Sequence, residues 1–243
     1  MVGRRVYGKG GHRDPKIHGF TPIISLTKST PYGDISPYCL KSDDGRIMEN
    51  IWQAAKVYEQ VPATTQYRPY SRDIIWQHPS ERHANPDGSG GWLLTPEYLA
   101  WRNKLMAAEY PIRYPVGKGH RHKCLFSAAY SQDERLGYVE SRKNVYFPLY
   151  DMLVRKTKTF EKLQERHRRG ENLLIIEVDG PHQESLDYYR ESYGLDENFI
   201  IDETMLCSKA HLMVMLNDPK HPFGHGYCLA MSLMNWKVSN IDG

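Results

Sequence analysis

The chain is short of cysteine, of long apolar runs and of net charge, and each shortage closes off a class of protein. Its four cysteines, Cys39, Cys124, Cys207 and Cys228, are widely spaced in 243 residues. A chain of that length buries a core without covalent staples, so a disulfide framework is not expected and a reducing, intracellular (cytoplasmic) setting is. No run of about 18 apolar residues occurs, and no apolar segment follows the basic opening MVGRRVYGKGGHRD, which argues against a membrane span, a leader or a membrane partner. No internal repeat is visible. The net charge of +3 is too small to define a partner by itself.

What is present is a globular balance, with 40% apolar and 25% charged residues. The 17 tyrosines and 15 prolines point to many loops and semi-polar surfaces. The basic residues bunch at 118–123 (KGHRHK) and 165–169 (ERHRR). These runs read either as a loop and a solvated helix face or as nucleic-acid contacts through phosphate, and charge alone does not decide.

Along the chain, residues 1–16 read as a flexible basic arm and 17–243 as a single helix-rich α+β domain with a few short strands and an insertion around 63–125. A first strand is expected at Ile23–Leu26. After the Asp43-Asp44-Gly45 turn a helix is expected from near Arg46, with Ile47, Ile51, Ala54, Ala55 and Tyr58 facing the core and Pro62 ending it. Ala63 to Gly91 lacks sustained periodicity and reads as a long loop or an insertion around one short element. Thr95 before Pro96 marks a capped helix, and a helix or helix pair is expected over Asp133 to Arg168 with Pro148 at a first turn or kink. Asn172 to Val178 reads as a strand that places Glu177 and Asp179 at its edge. Helices are expected at Ser185 to Tyr193 and near Tyr227 to Trp236.

Glu49, Gln53 and Lys56 fall four and seven residues apart, so on a continuous helix an acid, an amide and an amine share one stripe. The same spacing is ordinary on a solvated helix face, where each pairing contributes about 0.2–0.5 kcal/mol. His120, His122 and Cys124 alternate as on one strand face, and His221, His225 and Cys228 form another group. Neither has the paired-ligand spacing of a zinc site, and no metal or other cofactor is assigned to them. His182 after Gly180-Pro181 is a candidate acid by its ordinary pKa, although a loop histidine without function is commoner.

The order Tyr32-Gly33-Asp34-Ile35-Ser36-Pro37-Tyr38, Asp44-Gly45, then Glu49-Asn50-Ile51-Trp52-Gln53-Ala54-Ala55-Lys56 resembles the opening signature of the NADAR (YbiA-like) superfamily. In that family a Gly-Asp/Glu-x-Ser-Asn-aromatic loop precedes a Glu-x-x-x-Gln-Ala-x-Lys helix. Leu229 to Met234 is similar to the family's closing helix. Pro37 stands where the family has asparagine, and its later Trp-Gly and Gly-x-Asn motifs have no clear counterpart.

The resemblance implies a YbiA-like fold and cleavage of an N-glycosidic bond between (phospho)ribose or ADP-ribose and a nucleobase, such as modified guanine. Such chemistry develops positive character at the anomeric carbon and negative charge on the leaving nitrogen. Glu49 is then the acid/base or stabiliser, and Lys56 the nucleophile that forms a Schiff base. Gln53 positions sugar hydroxyls or water, Ser36 and the backbone at Gly33 and Asp34 hold phosphate, Trp52 or Tyr38 stacks on the base, and Glu177 and Asp179 line the substrate. Two other readings stay open: a nucleic-acid-directed base-processing enzyme that extrudes its target, and a module that binds nucleotide or ADP-ribose without cleaving it.

Overall fold

Leu-Leu-Ile-Ile-Glu at Leu173–Glu177 is apolar until its last position and wholly buried, the pattern of a strand covered on both faces. In the computed structural model, which describes residues 1–26, 31–68, 71–129 and 133–236, it is an interior strand of a four-stranded sheet. The order is Thr204–Met205, Val2–Arg4, Leu173–Glu177, Thr21–Ile24. The last three run parallel, with Val2 opposite Ile175 and Ile175 opposite Ile23, and Thr204–Met205 is antiparallel to Val2–Arg4.

The chain is α+β and divides into two compact units, residues 1–40 with 142–243, and residues 41–141. In the first unit the His225–Leu233 helix, buried along Gly226 to Leu233, packs against Leu173–Glu177 and the Phe147–Val154 helix. Gly224 and Gly226 are required there, because a Cβ on either would run into the Glu177 carboxylate. The Lys158–Arg168 helix is capped by Thr157, whose hydroxyl accepts from the Phe160 N–H, and ends before Gly170 at φ +83°. The second unit has its own apolar core, built on Val57, Tyr58, Trp76, Tyr98, Trp101, Leu105 and Phe126. Around it lie the Met48–Ala54 and Pro96–Met106 helices and four two-stranded pairings, counting only those of described residues.

Several expectations are corrected. Residues 1–16 are not an arm, since Val2 is fully buried in an interior strand and Gly3 lets that strand approach Pro15 and Leu174. Where an insertion around 63–125 was expected, the compact unit with its own core spans 41–141. The strand expected at Ile23–Leu26 spans Thr21–Ile24, and it is not the first, since Val2–Arg4, Val6–Gly8 and Gly11–Arg13 precede it. The helix expected to run to Pro62 stops at Ala54, and Lys56–Tyr58 is a strand paired with Cys124–Ser127. The expected loop over 63–91 contains the Thr64–Arg68/Ser71–His78 hairpin and the strands Glu81–Arg82 and Ala84–Pro86; its residues 69 and 70 lie outside the described set. Lys118–Lys123 is a 3-10 helix, so His120 and His122 do not alternate along a strand face.

Candidate functional site

Although Lys56 is in a strand, the expected acid, amide and amine still converge. The Gln53 Nε2 donates to Glu49 Oε1 at 2.8 Å, and Lys56 Nζ donates to Gln53 Oε1 at 3.1 Å. The Lys56 ammonium also lies 4.9 Å from the centroid of the Trp52 ring, within cation–π range. Glu49 and Gln53 are buried and Lys56 half-buried, so this is not a solvated helix face. The amide is oriented from both sides, its NH2 toward the carboxylate and its oxygen toward the amine. Asn50, also buried, accepts from the Ile112 N–H and donates to the Ala108 and Tyr110 carbonyls, which anchors the helix that carries the acid.

In the first unit, the loop residues have local partners. Gly33–Ile35 forms a 3-10 turn. Asp34 Oδ2 accepts from Thr159 Oγ1 at 2.6 Å, joining the loop to the Lys158–Arg168 helix. Ser36 is fully buried, and its hydroxyl oxygen accepts from the Tyr38 N–H at 3.4 Å while its carbonyl accepts from Cys39 and Leu40. That serine organises the turn that presents Tyr38.

Glu177 and Asp179 are separated by burial. Asp179 is exposed, whereas Glu177 is buried at the end of its interior strand with Oε2 3.2 Å from His225 Nδ1. Desolvation first, then the charge of Asp179, pushes the Glu177 carboxyl well above its ordinary range. His225 Nε2 lies 2.9 Å from the Ser25 carbonyl. A proton on Nε2 leaves Nδ1 as an acceptor for the proton on Glu177.

The histidine group at 221–228 is not gathered as ligands. His225 faces Glu177 and Ser25, the Cys228 thiol is buried and pushed well up by desolvation, and His221 belongs to a hydrogen-bonded chain that the sequence pattern did not reveal. Ser185 Oγ lies 2.9 Å from His221 Nε2, and His221 Nδ1 lies 2.6 Å from Asp218 Oδ2. Asp218 is fully buried and also accepts from the Tyr188 and Tyr189 hydroxyls and the Lys220 N–H. Burial pulls its carboxyl up, but the bonds from Tyr189, Lys220, His221 and Tyr188 outweigh that and hold it below its ordinary value. These residues are 33 and 36 positions from Ser185, a separation with no periodicity to read. Tyr188 and Tyr189 thus both serve this aspartate. His182 contacts Arg4 and Glu184.

A third group was also missed. Donor atoms of His78, Glu81 and His83 all lie within 4.8 Å of one another in the second unit; the signal available was His-x-x-Glu-x-His beside a Pro-Ser turn. Two surface hollows, of about 320 and 510 Å3, are lined in part by Arg155, Phe160 and Gln164 and by Thr64, His78 and Lys104; neither is lined by Glu49, Gln53 or Lys56. The 165–169 run is largely ion-paired, Arg168 and Arg169 with Glu165 and Arg166 with Glu171. No described helix is long and apolar enough to cross a membrane. Comparison with protein-family models, curated proteins and solved structures returned no match.

Proposed function

We propose that this chain is an N-glycosidase that cleaves the bond between ADP-ribose, or a related (phospho)ribose, and a nucleobase. The observation that supports this reading is the Glu49–Gln53–Lys56 chain, in which an oriented amide stands between a buried carboxyl and a half-buried amine. Separation matters because the two groups have different tasks. Lys56 as the free amine attacks the anomeric carbon, the C–N bond to the base breaks, and Glu49 as the acid delivers a proton to the departing nitrogen. The sugar ring then opens to a Schiff base on Lys56, and water releases the sugar. Trp52 beneath the amine excludes water and offers a face to a cation or a ring. An ADP-ribosylated nucleoside is the first substrate to try, because the guanidinium groups of the 165–169 run are engaged by Glu165 and Glu171.

The test is incubation with ADP-ribosylated guanosine and ADP-ribosylated DNA, with borohydride trapping and mass spectrometry. A sugar adduct on Lys56 is expected, and Lys56→Ala and Glu49→Gln should each lower turnover by about 100-fold or more at unchanged melting temperature. Full activity in both variants would remove the proposal.

A second reading has its own observation. Ser185, His221 and Asp218 have the connectivity of an activated serine, in which a buried carboxylate fixes the imidazole tautomer and the imidazole takes the hydroxyl proton. Ser185 also occupies the N-cap position of the Leu186–Tyr193 helix without its side chain capping that helix; a serine there usually caps, a contact worth about 1 kcal/mol. We infer a serine hydrolase acting by acyl transfer as the alternative activity. A fluorophosphonate probe separates the readings. Ser185 Oγ attacks phosphorus, fluoride leaves and His221 takes the proton, so labelling at Ser185 that vanishes in His221→Ala supports it. An unlabelled Ser185 in the folded wild type overturns it.

A further inference from the structure

The Ser71–His78 strand is joined by the Pro79-Ser80 link to the Glu81–Arg82 strand, which leads to His83. Because side chains alternate along a strand, Glu81 and His83 face the same side, and His78 stands beside them across the link. The His78 Nδ1–H donates to the Pro79 carbonyl at 2.7 Å, which leaves its Nε2 lone pair toward Glu81 Oε2 at 3.3 Å. His83 Nε2 stands 3.4 Å from the same oxygen. Zinc bonds to imidazole and carboxylate of about 2.0–2.1 Å give a tetrahedral edge of about 3.3 Å, so both separations are those of ligands around one ion.

His83 supplies the second, independent observation. It is fully buried, with no hydrogen-bond partner for Nδ1 and only the Glu81 carboxylate, at 3.4 Å, beside Nε2; a buried group left unsatisfied costs roughly 1–3 kcal/mol. A bound cation satisfies one of those nitrogens. The surroundings form a dry aromatic shell, with the Trp101 ring 5.0 Å and the Tyr98 ring 5.8 Å from His83, and Trp76 stacked on His78 at 5.9 Å. Glu81, with a quarter of its side chain exposed, gives the ion a way in. Lys104, the nearby cation, is directed to the Gln77 carbonyl and the Trp76 ring.

We propose that His78, Glu81 and His83 bind one divalent transition-metal ion, zinc by donor set, and leave a fourth coordination position open to water or substrate. The site is built wholly from the second unit and does not depend on either reading of function. Two imidazoles and one carboxylate also suit iron(II), and the test distinguishes the two ions.

The full chain, freed of metal with a chelator, is titrated with zinc by calorimetry and with cobalt(II) by visible absorption and tryptophan fluorescence. One equivalent per chain is expected, with tetrahedral cobalt bands and quenching from Trp76 and Trp101. Glu81→Gln and His83→Asn should each weaken zinc binding by more than about tenfold, while His120→Ala leaves it unchanged. Glu81→Gln is the decisive variant because its partly exposed, isosteric side chain should leave the fold intact by circular dichroism. Tighter, six-coordinate binding of iron(II) would keep the site and reassign its metal. No stoichiometric binding of any of these ions, or zinc affinity unaltered in both variants, would overturn it.

Discussion

Glu177 combines a buried position, a histidine neighbour and a raised pKa, and the sign of its contribution to stability follows from these. Its carboxyl keeps a proton in the folded chain that the unfolded chain releases above about pH 4.3. The native state therefore binds more protons above that pH, and stability falls as pH rises from there toward the folded pKa, by at most about 1.4 kcal/mol per pH unit. Glu177→Gln keeps the shape and cannot ionise. It should melt with a flatter pH profile than the wild type and at an equal or higher temperature near pH 8, by about 2–4 °C for each kcal/mol recovered. Melting profiles of wild type and variant that run parallel from pH 5 to pH 8 would show that Glu177 does not carry this proton. The same pairing shows why a carboxylate at a strand end attracted attention as a substrate ligand. Its position was readable, whereas its His225 partner, 48 residues on, was not.

At the scale of elements, the legible features were those with local causes. Thr95 accepts from the Tyr98 N–H at 3.2 Å with Pro96 in the first turn, as the Thr-Pro pair announces. The apolar run before Asp179 is the interior strand, Pro148 opens a helical turn, and Gly170 closes the Lys158–Arg168 helix. Features decided by distant partners were misread. Lys56-Val57-Tyr58 continues a helical pattern on paper, but Val57 and Tyr58 are drawn into the core by pairing with Phe126 and Cys124, and a β-branched valine beside an aromatic suits a strand. The hairpin of Thr64–Arg68 with Ser71–His78 was hidden because the sequence there, TTQYR and SRDIIWQH, has no sustained apolar–polar alternation. The candidate site divides in the same way. Glu49 and Gln53 were on one helical stripe as spacing requires, and Lys56 reaches Gln53 from a strand, so the convergence was anticipated and its geometry was not. The histidine groups noted in sequence, to which no metal is assigned, are not gathered, whereas His78, Glu81 and His83, which follow no familiar spacing, come together across the Pro79-Ser80 link between two strands.

For the molecule as a whole, the first residues have a weight that their glycine-rich, basic composition conceals. Val2 pairs with both Ile175 and Met205, the Met1 nitrogen donates to the Leu173 carbonyl at 2.8 Å, and Arg4 is bonded to Glu184 and Glu203. Arg5 is paired with Asp14 at 2.6 Å. Beyond them, Val6–Gly8 and Gly11–Arg13 form a short hairpin whose tip is exposed. Removing residues 1–5 therefore takes out an interior strand, leaves two facing strand edges unpaired and exposes Leu174 and Ile176 where they were covered. A sheet so divided cannot be closed by the edge strand Thr204–Met205, which is two residues long. The truncated chain should lose its cooperative thermal transition or accumulate as insoluble protein, whereas Tyr7→Ser and His12→Ser in the exposed hairpin should shift the melting temperature by no more than about 1–2 °C, as surface changes of about 0.5 kcal/mol do. A chain lacking residues 1–5 that melts cooperatively within a few degrees of the wild type would mean that Val2–Arg4 is dispensable to the sheet.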